Sequence, residues 1–240
     1  FFLTQKDNFV QKKRGSEELV GKSFCGALFL LAVLGALLFV PAGTWNYPAA
    51  WIYLAVFALS VLWITVYLFR TDTKLLESRL HVGLMAEQEA SQKVIQSISG
   101  LCFCSVYLLA GFDRRFHWSA LPLGVSIVSE LFVLLGFGIV FLVFRENTYT
   151  SAVIEIRQDQ KVISTGPYGV VRHPMYTGAS LMMLFSAPAL GSLWALAGVL
   201  GLIAAIVVRL LDEERFLLQN LPGYREYCQK IRYRLIPGLW

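Results

Sequence analysis

The chain has 240 residues, 56% of them hydrophobic and only 15% charged. A soluble domain carries roughly 25% charged residues, so the balance excludes an ordinary soluble domain and indicates a membrane protein. The net charge of +5 lies between apolar runs, with no zinc-finger spacing and no Lys/Arg-rich tract; it suits anionic lipid headgroups and argues against a nucleic-acid partner.

The expected fold is all-α, an integral membrane bundle of about six transmembrane helices. A span needs about 20 mostly apolar residues. The first runs from Phe24 to Val40 and follows a charged stretch with no small-residue cleavage site, so it reads as a retained helix. Pro41 and Gly43 end it, and Trp45, Tyr47 and Trp51 form an expected interfacial belt. The second span covers Ala49 to Phe69; a polar, partly amphipathic stretch over 71–93 is expected on the membrane surface. Val94 to Phe112 and Leu121 to Phe144 give spans three and four. Asp113, Arg114, Arg115 and His117, between them, are expected to touch headgroups. The last apolar block, Met175 to Leu211, is too long for one span, and Pro188 and Gly191 divide it into two short helices.

Charge orients the helices. The successive segments hold five, zero, four, two, four, zero and six Lys plus Arg. That alternation fits the positive-inside rule with both termini cytoplasmic. A four-helix region over 1–144 is then followed by a polar-rich C-terminal region over 145–240, together one membrane domain. The four cysteines include no C-x-x-C pair and only three histidines accompany them, so no metal site is expected.

Two polar clusters stand out. The first is GPYGVVRHPMYTG, residues 166–178. Pro174 falls at the first turn of a helix, where its missing N–H matters little. Arg172, His173 and Tyr176 then crowd a helix N-terminus, which attracts anions. Either a cofactor pocket or a helix start beside a headgroup-binding arginine accounts for it. The second cluster is R-x-x-x-E-E, with Arg209 and Glu213 on one helix face and Glu214 beside them. An interfacial ion pair with a snorkelling arginine is the plain alternative. The tail tyrosines Tyr224, Tyr227 and Tyr233, with Trp240, are expected as interfacial anchors.

Taken together and in this order, GPYGVVRHPMYTG, R-x-x-x-E-E-x-x-L, GYREY and RLIPG resemble the isoprenylcysteine carboxyl methyltransferase family, whose wider relatives include phospholipid methyltransferases. The resemblance is dense over 145–240 and upstream extends only to the helix pattern. It implies an integral membrane enzyme that uses S-adenosylmethionine. It implies cofactor contacts from Gln160, Lys161, Val162, Ile163, Tyr168, His173, Pro174, Met175, Tyr176 and Glu213, and an acceptor-site role for Arg209. Position 160 is Gln where many family members have His, and LPGY is one residue shorter than the usual spacing.

Methyl transfer from a sulfonium is an in-line displacement, so such a site mainly positions the acceptor and excludes water. A carboxylate acceptor, most simply prenylcysteine or a related lipophilic acid, is ionised at pH 7 and needs no base; Arg209 can hold it by a two-point contact. An amine acceptor must lose a proton, for which His173 or Glu214 is available. Arg172, Glu214, Glu130 and Asn147 are further candidates for acceptor contact or support. Glu130, inside the fourth span, is expected to face the bundle or a cavity because a lipid-facing carboxylate is costly; tunnel contact and structural pairing are equally compatible. Asn147 fits a loop cap or a site residue. A nicotinamide-dependent sterol-type reductase is the alternative enzyme, but such reductases usually have Arg-His-x-Asn-Tyr, whereas Pro174 and Met175 stand in the middle here. The motif spelling suggests a prokaryotic inner membrane, with the site on its cytoplasmic side.

Overall fold

The computed structural model describes residues 2–80, 90–150 and 160–240. Among them there are eight α-helices, one 3-10 turn and no strand. The helices are α1 (Phe2–Ala42), α2 (Pro48–Thr71), α3 (Thr73–Leu80), α4 (Ala90–Phe116), α5 (Leu123–Glu146), α6 (Pro174–Ala189), α7 (Leu196–Asn220) and α8 (Tyr224–Lys230). The 3-10 turn covers Gly166–Gly169.

Four helical stretches are long and apolar enough to cross a membrane: Glu18–Ala42, Pro48–Thr71, Gln92–Phe116 and Leu123–Glu146. They correspond to the first four expected spans; the first three are longer by a few residues at their ends, and the fourth is shifted by two residues toward the C-terminus. The last apolar block does divide in two. Its first helix, α6, has 16 residues, about 24 Å of helix, which is shorter than the roughly 30 Å hydrocarbon core. Its second, α7, does not stop near Leu211 as its apolar pattern suggests; it continues through Arg209, Asp212, Glu213 and Glu214 to Asn220. The expected surface stretch begins as α3, while residues 81–89 lie outside the described residues.

Helices immersed in lipid gain little by hiding apolar area from one another, so close backbone approach at small residues drives their packing. Here α5 and α6 meet at Gly136 and Gly178: a Cβ on Gly178 would stand 2.9 Å from the Gly136 carbonyl oxygen. Helices α4 and α7 meet where Gly198 faces Ser105 and Val106, and Gly201 faces Cys102. Helix α1 lies on α4, with Gly111 against the Leu38 carbonyl and Pro41. A buried hydroxyl chain crosses the bundle: Tyr53 exchanges hydrogen bonds with Tyr107 and with Ser186, both at 2.9 Å.

At one end of the bundle the structure corrects two expectations. Asp113 does not touch headgroups. It is 2% exposed and accepts from the Ser119 N–H (2.7 Å), the Ser119 hydroxyl (2.6 Å) and the Ser192 hydroxyl, tying the end of α4 to the α6–α7 turn. Tyr47 is likewise buried, donating to the Leu190 carbonyl at 2.6 Å, while Trp45 and Trp51 are exposed as a belt would be. At this helix-end junction a carboxylate satisfies backbone and hydroxyl donors, and a phenol satisfies a backbone carbonyl, that lipid cannot.

Candidate active site

The other end of the bundle carries the two polar clusters. The backbone of 171–173 is not free to wander: Pro167 accepts from Val170 and Val171 as the 3-10 turn closes, and Gly166 adopts φ +55° to enter it. The C-terminal tail then pairs with this segment. Arg172 N–H donates to the Tyr233 carbonyl (2.9 Å) and His173 N–H to the Arg234 carbonyl (3.0 Å). The Thr177 hydroxyl donates to the Leu235 carbonyl at 2.8 Å. His173 is the residue before α6 and Pro174 its first, so this helix starts where the sequence places it.

Glu214 clamps the assembly. It is 4% exposed, ion-paired to Arg172, and accepts from Arg234 Nε at 2.7 Å, with His173 Nε2 at 3.9 Å. Burial alone would raise its pKa, but the nearby His173, the hydrogen bond of Arg234 and the charges of Arg172 and Arg234 outweigh it and hold the carboxyl at about 2.

In front of this clamp is a cavity of about 410 Å³. All ten expected cofactor residues, Gln160 to Ile163, Tyr168, His173 to Tyr176 and Glu213, line it, and so do Arg209, Arg172 and Asn147. Two expected support residues do not. Glu214 lies behind the wall, paired to Arg172 and Arg234. Glu130 is buried in the bundle at 4% exposure and is absent from the cavity's lining. Neither of its carboxylate oxygens has a hydrogen-bond partner among the described residues.

The polar groups of the cavity are held, not loose. Tyr176 Oη donates to Glu213 Oε2 at 2.6 Å. Arg209 Nη1 reaches Gln92 Oε1 at 3.4 Å. Asn147 does both things open to it: its Oδ1 accepts from the Tyr149 N–H at 2.9 Å, and its Nδ2 donates to Tyr168 Oη at 2.9 Å. Burial pushes the Tyr168 phenol up to about 12, so it stays neutral.

The tail supplies residues that sequence reasoning assigned elsewhere. Tyr224 and Tyr227 are not interfacial anchors; they are 4% and 6% exposed and line the cavity. Tyr227 Oη donates to the Tyr168 carbonyl at 2.8 Å, and Tyr224 Oη lies 3.5 Å from His173 Nε2. Helix α8 can fold back over the site because Gly223 takes φ +82°, which an L side chain avoids. Arg79, Gln96 and Ser99 also line the cavity. The two α4 residues had only a weak sequence signal, polar positions spaced by three at the start of an apolar span with Ser97 between them; Arg79 had none.

S-adenosylmethionine fits these residues. The cavity volume falls in the roughly 300–1,000 Å³ range of small-molecule sites. A fixed carboxylate, aromatic rings and a stretch of irregular backbone at 160–163 converge on it. Among the described lining residues, Arg79, Lys161, Arg172 and Arg209 are cationic and Glu213 alone is anionic.

Most of the cavity's lining falls within the part of the chain that a known family matches, while Arg79, Gln96, Ser99, Tyr224 and Tyr227 lie outside it. Residues 125–222 match the phospholipid methyltransferase family, which includes the isoprenylcysteine carboxyl methyltransferases. The cobalt-zinc-cadmium resistance protein CzcN of Cupriavidus metallidurans is 30% identical over 107 residues. That match takes in 43% of this chain and 48% of CzcN, so the chain spans about half the length of the curated relative it matches.

Proposed function

We propose, from the phospholipid methyltransferase family match of residues 125–222, that the protein is an S-adenosylmethionine-dependent methyltransferase acting on a lipophilic carboxylate in the membrane. The observation that carries this choice of acceptor is the set of cations lining the cavity, Arg79, Lys161 and Arg209 against the single carboxylate of Glu213, with Arg172 already neutralised by Glu214. An anionic acceptor lowers the energy of Arg209 in a partly apolar site, whereas an ammonium headgroup raises it.

When bound, the cofactor supplies a methyl group already activated on a sulfonium, so transfer to a carboxylate oxygen moves no proton. The chain's work is therefore positional. Glu213, fixed by the Tyr176 hydroxyl, takes the cofactor's ribose hydroxyls or ammonium. His173 and Tyr176 flank its methionine end, Tyr168 offers a ring to the adenine, and the 160–163 backbone closes over it. Arg209 holds the acceptor carboxylate. Tyr224 and Tyr227 cover the cavity and exclude water, which strengthens every charge contact inside. In this reading α6 and the apolar half of α7 form a hairpin that brings the spans to six, the termini are cytoplasmic, and the site faces a prokaryotic cytoplasm.

A phospholipid amine is the second reading, favoured by the family's own description. It requires a proton acceptor, and Glu213 and His173 are the groups at hand among the described lining residues.

The test is calorimetric titration of S-adenosylmethionine into detergent-purified protein, alongside Glu213→Ala and His173→Ala. Removing a hydrogen bond to a charged group weakens binding by about 10- to 100-fold, and both variants should show it. A protein that binds no S-adenosylmethionine but takes a reduced nicotinamide cofactor instead is a reductase, and this reading is then wrong.

A further inference from the structure

The mechanism above leaves one wall of the cavity unused. On α4, Gln92, Gln96 and Ser99 follow at spacings of four and three and so share a face. That face looks at α7. Gly198 faces Ser105 and Val106, Gly201 faces Cys102, and Gln92 bridges Arg209 (3.4 Å) and Asp212 Oδ2 (3.1 Å), so the two helices run antiparallel in a fixed register. Moving one turn along α4 from Gln92 goes deeper into the bundle by about 6 Å. There Gln96 comes level with Ile206, one turn below Arg209, and all three line the cavity together with Leu202.

The Gln96 carboxamide oxygen is buried and has no hydrogen-bond partner among the described residues. Leaving such an acceptor unmet is unfavourable, and a ligand that brings a donor removes the penalty. The neighbouring Ser99 hydroxyl does not meet it, because Ser99 donates to the Ile95 carbonyl at 2.8 Å. The wall thus runs from a cation at Arg209, through an unmet amide oxygen at Gln96, to apolar side chains at Ile206 and Leu202.

We propose that Gln96 is a specificity-determining residue: it accepts a hydrogen bond from an N–H or O–H group placed a few bonds from the acceptor's carboxylate, where the apolar tail begins. The inference rests on the carboxylate-acceptor reading given above. It separates two classes of lipophilic acid. An N-acylated amino acid has such a donor; a simple fatty acid does not. Gln92, 5% exposed, holds Arg209 level with the carboxylate and is a positioning residue for it.

The experiment uses the full-length protein in detergent, with labelled S-adenosylmethionine and two acceptors, N-palmitoylglycine and palmitate. The wild type should prefer N-palmitoylglycine in kcat/KM by about 10- to 100-fold. Gln96→Leu should lose that preference through a higher KM for N-palmitoylglycine, with a much smaller effect on the kcat/KM for palmitate. Gln96→Met, closer in shape, carries the same test if the leucine variant does not fold, and Gln96→Asn should recover part of the preference. Equal use of both acids by the wild type, an unchanged preference in Gln96→Leu and Gln96→Met, or cofactor binding with neither acid methylated would each overturn the role of Gln96. Absence of cofactor binding, read separately by calorimetry, would overturn the methyltransferase reading and this inference with it.

Discussion

Replacing Glu214 by Gln tests the clamp behind the cavity. Glu214 holds Arg172, at the start of the α6 segment, and Arg234, in the tail, so one carboxylate joins two stretches of chain 62 positions apart. Its pKa falls from 4.5 to about 2 in the folded protein. Each unit is 1.36 kcal/mol, so the shift amounts to about 3 kcal/mol of folding free energy at neutral pH. Mutational removal of one partner from a buried pair gives a similar figure, about 3–5 kcal/mol. For a chain of 240 residues, about 3 kcal/mol is roughly 6–12 °C in Tm. Because the folded pKa is depressed, this stability is fully present above the unfolded value of about 4.5 and is lost as pH falls through about 2. Thermal unfolding in detergent from pH 7 down to pH 3 reads both effects. The wild type should melt well above Glu214→Gln at pH 7, and the gap should narrow steadily below about pH 4.5. A Tm difference under about 2 °C, or a gap that does not change with pH, would refute the clamp. S-adenosylmethionine affinity should fall in the same variant, since the tail that carries Tyr224 and Tyr227 loses its anchor.

Two further perturbations separate the ends of the bundle. Gly178→Ala sets a Cβ 2.9 Å from the Gly136 carbonyl oxygen and 3.0 Å from Val140 Cγ2; the overpacking should destabilise by about 1–3 kcal/mol, whereas Gly138→Ala, which meets nothing within 4 Å, should be neutral or slightly stabilising in the same melting assay. Asp113→Ala orphans the donors of Ser119 and Ser192 at the far end. It should lower stability by about 2–3 kcal/mol while leaving calorimetric S-adenosylmethionine affinity at the wild-type value; a change in affinity would show that the two ends are coupled.

Much of this was legible in the chain itself. Continuous apolar runs, punctuated by Pro41, Pro174 and the Pro188–Gly191 turn, fixed where α1, α2, α4, α5 and α6 begin or end to within a few residues, because lipid leaves a backbone no alternative to helix. The motifs named the lining residues on the 160–176 segment and on α7, since groups that must converge on one small molecule keep their spacing along each element. Helical period alone put Arg209 and Glu213 on one face.

Position across the fold was not legible. Tyr224 and Tyr227 have the composition of interfacial anchors, and only the left-handed turn at Gly223 and the pairing of 231–235 with 171–177 carry them over the cavity. Asp113 looks like a headgroup contact until the α6–α7 turn brings Ser192 to it. Adjacent residues Glu213 and Glu214 are indistinguishable by type, yet one faces the cavity and the other is buried against two arginines, because successive positions on a helix point about 100° apart and tertiary packing alone decides which direction is the site. Sequence sets which groups are present and how they repeat along an element; the register between elements, set in part by the glycine contacts of α5 with α6 and of α4 with α7, decides which of them meet.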